Sequence, residues 1–167
     1  MTLAEAAARA EELWATGKAR ELAELRASWD EQLEADARSQ DFRERALAMR
    51  AIGMFRWRAK EELLRRGLDD TSPAARGSAL LSIELLSRDH PSSVNSVRPL
   101  LHKMLADAEE NPAVRRLAVL ALKNGSAQRE TVVLLEGTAG DDEEVADLRR
   151  AAATVAQELK RKAIAKR

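Results

Sequence analysis

Apolar residues recur along most of the chain at intervals of three and four, the spacing of an amphipathic helix. The first predicted helix has an apolar face formed by Leu3, Ala6, Ala7, Ala10, Leu13 and Trp14. Thr2 and Glu5 stand three residues apart at its start, as in a capping box, and Gly17 is expected to end it. A second helix carries a narrower apolar stripe of Leu22, Leu25, Trp29 and Leu33.

The segment NPAVRRLAVLAL, residues 111–122, joins a helix start to a body that is apolar on nearly every side. Asn111 and Pro112 are typical of an N-cap and a first-turn proline, and Ser72 with Pro73 repeats the signal. A helix with so little polar surface has to be covered by several neighbours. Two later helices are expected to open at caps further along, at Ser126 and at Asp141 or Asp142.

Three arginines share the same local sequence, which indicates an internal repeat. Arg76, Arg115 and Arg149 each have an acidic residue six positions before, an apolar residue just before and an alanine three positions after. Arg43 is a weaker copy without the acid. These arginines are 33, 39 and 34 residues apart (43 to 76, 76 to 115, 115 to 149), and such periods are typical of helical solenoids. We expect each arginine to reach the acid of its own or the neighbouring repeat.

From about Phe42 to Leu159, the chain resembles the HEAT-repeat family. The second helix of a HEAT unit typically begins with an acid, a proline and a Val-Arg pair. The matching residues are Glu109, Pro112, Val114 and Arg115, with Asp70, Pro73 and Arg76 as a looser copy. Pro99 is similar to the proline that bends the first helix of a unit.

This resemblance implies an all-α fold, a right-handed α-solenoid of about nine helices arranged as HEAT-like helix pairs. We expect a single domain over residues 1–167. Within it, residues 1–38 form less repeat-like N-terminal helices, residues 39–162 form the repeats and residues 163–167 form a basic tail.

Gly53 lies ten residues after Arg43, as Gly125 lies ten residues after Arg115. The repeat register therefore predicts a turn between two helices near Gly53. The alternative is one long helix from about Ser39 to Arg66, because no good N-cap follows Gly53. We favour the turn.

The family resemblance also implies that the second helices line a concave surface. Positions one and eight after each reference arginine share a face away from the packed side, since each residue turns the helix by about 100°. The candidate partner-binding residues are Glu84, Arg116, Lys123, Arg150 and Gln157. Because their charge is mixed, this stripe favours a protein or peptide partner over a phosphate backbone. The leading hypothesis is a non-enzymatic protein-binding scaffold or adaptor.

A nucleic-acid-binding HEAT-like module is the alternative. Residues 43–66 contain eight basic and three acidic residues, and the C-terminal helix is also basic. Basic side chains neutralise phosphates and an exposed tryptophan stacks on bases. The candidate contacts in this segment are Arg50, Trp57, Arg58 and Arg65. HEAT-like DNA glycosylases are a related comparison, but no motif here matches their catalytic acid or aromatic pocket.

The composition agrees with a helical, soluble protein. Alanine, leucine, arginine and glutamate dominate, whereas aromatic residues make up only 3%. The 28 basic residues balance the 28 acidic ones, which counts mildly against a dedicated nucleic-acid binder. The chain has no cysteine, no secretory signal and no apolar run long enough for a membrane span. We expect a cytoplasmic protein that does not contact a membrane.

No motif predicts catalysis, a cofactor or a metal ion. His90 and His102 lack metal-ligand spacing, and the acid clusters stand at predicted helix N-termini, where capping and the helix dipole explain them.

Overall fold

A computed structural model describes the whole chain, residues 1–167. It contains ten α-helices, one short 3-10 helix and no β-strand, which confirms the all-α prediction. The chain forms two compact units, Met1–Leu86 and Ser87–Arg167. No helix is both long and apolar enough to cross a membrane. The prediction of a single domain stays a prediction.

The first unit is built from the helices that precede residue 87. They are α1 (Leu3–Ala15), α2 (Ala19–Asp36), α3 (Phe42–Met54), a 3-10 helix (Arg58–Lys60), α4 (Glu61–Gly67) and α5 (Pro73–Ser87), which ends at the boundary. α1 packs on α2 and α3, and α3 packs on α4. The largest buried side chains of this unit are Leu33, Ile52, Phe55, Leu64, Leu80 and Ile83.

Both ends of α1 follow the sequence prediction. The Thr2 hydroxyl accepts from the Glu5 amide, and the Glu5 carboxylate accepts from the Thr2 amide, so the capping box is present. Gly17 has a φ of +69°, a conformation that favours glycine, and it follows Thr16, the C-cap residue of α1. On α2, Leu22 and Leu33 are buried.

The predicted turn near Gly53 is confirmed. α3 ends at Met54, and Arg56 has a φ of +50° in the turn before the 3-10 helix. Gly53 itself, however, lies inside α3 and is buried there. Its amide donates to the Ser82 hydroxyl on α5 at 3.0 Å, and a Cβ at position 53 would lie 2.7 Å from the Ser82 Cα. Gly53 thus permits close helix packing, a role that the repeat register did not predict.

In the first unit, the ion pair is formed by Arg45 and not by Arg43, the weaker copy of the predicted repeat. Arg43 is exposed and lies over the Phe42 ring. Arg45 instead forms a two-pronged pair with Asp70, at 2.8 and 3.0 Å. This pair holds the pKa of Asp70 below its usual value, although burial opposes the shift. The Arg76 guanidinium donates to the backbone carbonyl of Asp70 at 2.8 Å.

The second unit contains the remaining five helices. They are α6 (Ser92–Asn95), α7 (Arg98–Ala106), α8 (Pro112–Leu122), α9 (Arg129–Gly140) and α10 (Ala146–Ala165). α7 packs on α8, α9 packs on α10, and α8 also packs on α10. Its largest buried side chains are Leu101, Leu105, Leu122, Leu135, Leu148 and Leu159.

The start of α8 is as predicted. The Asn111 side chain accepts from the Ala113 amide at 2.8 Å, and Pro112 occupies the first helical position. Val114, Ala118, Val119, Ala121 and Leu122 are buried. Because α7 and α10 both pack on it, α8 is covered by several neighbours, as its apolar sequence requires.

Two other boundaries in this unit, the starts of α9 and α10, differ from the prediction. α9 begins at Arg129 after Gln128, not after Ser126, because the Ser126 hydroxyl accepts from buried Arg98 at 2.6 Å. α10 begins at Ala146, because the Asp141 carboxylate instead accepts from the Glu143 amide in the preceding turn.

Pro99 and the basic tail also differ from expectation. Pro99 lies in the first turn of α7, where the missing amide costs nothing, so it does not bend a helix from within. α10 continues to Ala165, which makes residues 163–165 of the predicted tail helical.

Candidate functional site

α8 and α10 run parallel and are fixed together at both ends. Near their N-termini, Arg115 of α8 pairs with Glu144, just before α10. Near their C-termini, Lys162 of α10 donates to the backbone carbonyls of Lys123 and Gly125, at 2.9 and 2.8 Å, just after α8. Between these two attachments, the side chains of both helices face one cleft.

The attachment at Arg115 is almost completely buried. Its guanidinium donates to both carboxylate oxygens of Glu144, at 2.7 and 2.6 Å, and to the backbone carbonyl of Leu105, at 3.0 and 2.7 Å. Arg149 repeats the arrangement less tightly, since it donates to the carbonyl of Ala139 at 3.3 Å and to Asp142 at 3.1 Å. Both arginines reach an acid, but neither partner is the acid six positions before a reference arginine: Arg115 pairs with Glu144 and Arg149 with Asp142, on either side of Glu143.

The attachment at Lys162 uses the negative end of the α8 dipole. The last carbonyls of a helix have no partner within it, and a cation near them is stabilising. Lys162 is half-buried, and this burial lowers the pKa of its ammonium group. Lys162 therefore binds carbonyl groups at the end of α8, not those at the end of its own helix.

The cleft between α8 and α10 brings together three of the predicted partner-binding residues. Its volume is about 400 Å³, and its lining consists of Arg116, Leu120, Lys123, Asp147, Arg150, Ala151, Thr154, Val155 and Glu158. Three cations and two carboxylates therefore share one concave surface, and Leu120, Ala151 and Val155 provide an apolar floor between them. Such a combination suits recognition of an amphipathic ligand.

The cations of the cleft are not equally available. Arg150 is paired with Asp147 on the same helix, and both side chains are largely exposed. Neither Arg116 nor Lys123 has a side-chain ion pair or hydrogen bond in the structure. An anionic ligand that binds Arg116 or Lys123 would therefore displace only water, whereas at Arg150 it would compete with Asp147.

Two of the predicted residues lie elsewhere. Gln157 is exposed on α10 but does not line the cleft, and Glu84 lies on α5 in the first unit. The prediction used positions one and eight after the reference arginine. The cleft instead uses positions one, five and nine on α10, namely Arg150, Thr154 and Glu158.

The cleft-lining residues that were not predicted also recur with the period of the helix, about 100° per residue. Positions one, five and eight of α8 line the cleft, so Leu120 joins the two predicted cations. Asp147, Ala151, Thr154 and Glu158 fall on one face of α10 at intervals of four, three and four. This period was visible in the sequence, but the choice of face depended on how α8 and α10 pack.

The alternative nucleic-acid surface is divided by the turn after α3. Arg50 lies on α3, whereas Trp57 lies in the turn, half-buried against Phe55 with the ring centroids 5.7 Å apart. The two side chains therefore do not lie on one helix face, so α3 does not present the Trp57 ring beside the Arg50 cation for joint stacking and phosphate contacts.

Basic side chains in this segment are also paired with acids. Arg58 lies 3.4 Å from Glu61, and Arg65 donates to Glu62 at 3.0 and 2.9 Å. Lys60 contacts Asp30 and Glu34 of α2, and its hydrogen bond lowers the pKa of Glu34. These pairs reduce the positive charge that the segment offers to phosphates.

Neither histidine belongs to a group of side chains that could hold a metal ion. The His102 Nε2 lies 2.9 Å from the Thr131 hydroxyl, and its Nδ1 lies 3.9 Å from Glu130. Burial lowers the pKa of His102, and the Glu130 charge acts against this shift. His90 is exposed. No group of three or more His, Asp or Glu side chains is placed to hold a metal ion.

Comparison with known proteins gives no family for the chain, since no protein-family model and no curated protein matches it.

Proposed function

We propose that this protein is a non-enzymatic binding scaffold and that the cleft between α8 and α10 is its contact surface for another protein or peptide. The observation that carries this proposal is the convergence of Arg116, Lys123 and Arg150 around an apolar floor. A cleft of this kind combines buried apolar area with charges that fix the orientation of a partner.

The proposed architecture is a HEAT-like, right-handed α-solenoid, in which successive second helices stack in parallel. Support comes from the second unit, where α8 and α10 run parallel and each packs against the helix that precedes it. The arginine contacts of Arg115 and Arg149, each to a carbonyl ten residues earlier, support a repeat at the same register.

Binding to the cleft is tested by panning a library of displayed random peptides against the full-length protein. We expect selected clones that bind the wild type and lose at least about tenfold in affinity for R116E and for R150E, since a reversed charge at the contact is unfavourable.

R129E is the matched control. Arg129 is exposed on α9, in the same unit but outside the cleft lining, so this variant carries the same charge change without touching the proposed contact. If no clone is selected, or if clones bind R116E and R129E equally, the proposed function is wrong.

Nucleic acid is the second candidate partner, but the ion pairs formed by the basic residues of 43–66 favour the scaffold. Fluorescence anisotropy of labelled DNA and RNA at two salt concentrations separates the two. Binding that weakens steeply with salt would support phosphate contacts, whereas we expect no binding at low salt.

A further inference from the structure

We infer that the cleft takes an acidic amphipathic helix of a partner protein, with two acidic residues seven positions apart and an apolar residue midway between them. This inference rests on the proposed function, because it names the class of partner for the same cleft. It follows from the spacing of the two unpaired cations on α8.

Arg116 and Lys123 lie two helical turns apart, so they are separated by about 10 Å along the α8 axis. Leu120 lies between them on the same side of the helix, and all three residues line the cleft. α8 therefore presents a cation, an apolar side chain and a second cation in line.

The facing side of α10 continues this order. Ala151 and Val155 extend the apolar middle of the cleft. Because the helices run parallel, Arg150 and Asp147 lie toward the Arg116 end, while Glu158 lies toward the Lys123 end. Both ends carry charged side chains, whereas the centre is uncharged, with Thr154 beside the apolar groups.

A helical ligand matches this spacing, and an extended one does not. On a helix, residues seven apart share a face and are also about 10 Å apart, with the residue at plus three or plus four between them. In an extended strand, side chains on one face recur about every 6.7 Å, so carboxylates on one face would be about 7 or 13 Å apart.

The cleft also carries acids, which argues for a ligand with discrete charges. Its formal charge is +1, from three basic and two acidic side chains. A phosphate backbone would bring closely spaced negative charges against Asp147 and Glu158. Two separated carboxylates bring only one negative charge to each end of the cleft, where one meets the Arg116 guanidinium and the other the Lys123 ammonium group.

The test uses two synthetic helical peptides of identical composition and the full-length protein. The first peptide has glutamates at positions i and i+7 with leucine at i+4. Its isomer has the second glutamate at i+5, which points about 140° away from the first. We expect the first peptide to bind at least about tenfold tighter in a titration followed by fluorescence anisotropy.

Charge exchange identifies the contact. Replacing either glutamate by lysine should abolish binding to the wild type; one of these two peptides should then bind K123E and the other R116E. R129E is again the control and should behave like the wild type toward all four peptides.

Equal affinity for the two isomers, or binding that charge exchange does not restore, would overturn this inference. If panning yields clones that occupy the cleft but are neither acidic nor helical, the inference fails while the proposed function stands. Failure of both peptides and of panning would refute the two proposals together. Self-association that K123E abolishes would identify the occupant as a second copy, and would also overturn the inference.

Discussion

Gly53 and Ser82 illustrate how much one residue position decides in this fold. The Ser82 hydroxyl accepts from the Gly53 amide and donates to the carbonyl of Met49 at 2.5 Å, so one buried side chain of α5 is bonded to two turns of α3. This arrangement needs the two backbones to be close, and only glycine at position 53 allows that distance. The sequence identified Gly53 as important, but for a turn that starts two residues later.

The variant G53A should destabilise the protein by about 1–3 kcal/mol, because the added Cβ would lie 2.6–2.9 Å from atoms of Ser82, including its Cα. G137A is the matched control, since Gly137 is an exposed helical glycine with no atom within 4 Å of the added Cβ. There we expect a gain of up to about 1 kcal/mol from helix propensity. Urea denaturation followed by circular dichroism measures both. An unchanged midpoint for G53A would mean that α3 and α5 are less closely packed than the structure shows.

At the scale of the helices, α8 and α10 show which contacts hold a repeat together. Most of the side chains that α8 and α10 bury are apolar. The two polar attachments, at Arg115 and Lys162, fix the register in which the helices pack. An attachment at each end also sets the width of the cleft between them.

E144A should destabilise the protein by roughly 2–3 kcal/mol, because it leaves the buried Arg115 guanidinium without its carboxylate partner. The side chains of this pair are only 6% and 17% exposed. E136A is the control: Glu136 pairs with Lys160 between α9 and α10, but both side chains are about half exposed, so the cost should stay below about 1 kcal/mol. Similar denaturation midpoints for the two variants would contradict the role assigned to Arg115.

The whole molecule offers a separate optical probe of one unit. All three tryptophans, Trp14, Trp29 and Trp57, lie within Met1–Leu86. Tryptophan fluorescence therefore reports the unfolding of the first unit alone, whereas far-ultraviolet circular dichroism reports helices in both.

If HEAT-like stacking continues along the chain, as we propose, the two signals should give the same denaturation midpoint, because neighbouring repeats stabilise one another. E144A, which removes a contact within the second unit, should then shift the fluorescence midpoint as well. Two separated transitions, or a fluorescence midpoint that E144A leaves unchanged, would show that the units unfold independently and would refute the single-domain prediction.

The sequence by itself determined the features that depend on near neighbours. Helical periodicity, the Thr2 capping box and the Asn111 cap are all set by residues a few positions apart, whose interactions are largely independent of the rest of the fold. The repeat of Arg115 and Arg149 and the basic residues of the cleft were visible for the same reason.

Only the tertiary structure decided what depends on residues distant in the chain. It placed Ser82 against Gly53 and gave Ser126 to Arg98 instead of to a helix start. It also chose the face of α10 that lines the cleft, which brought in Glu158 and left Gln157 outside. Side-chain partners and helix rotation are settled by packing, since local propensities differ by less than the free energy of one buried contact.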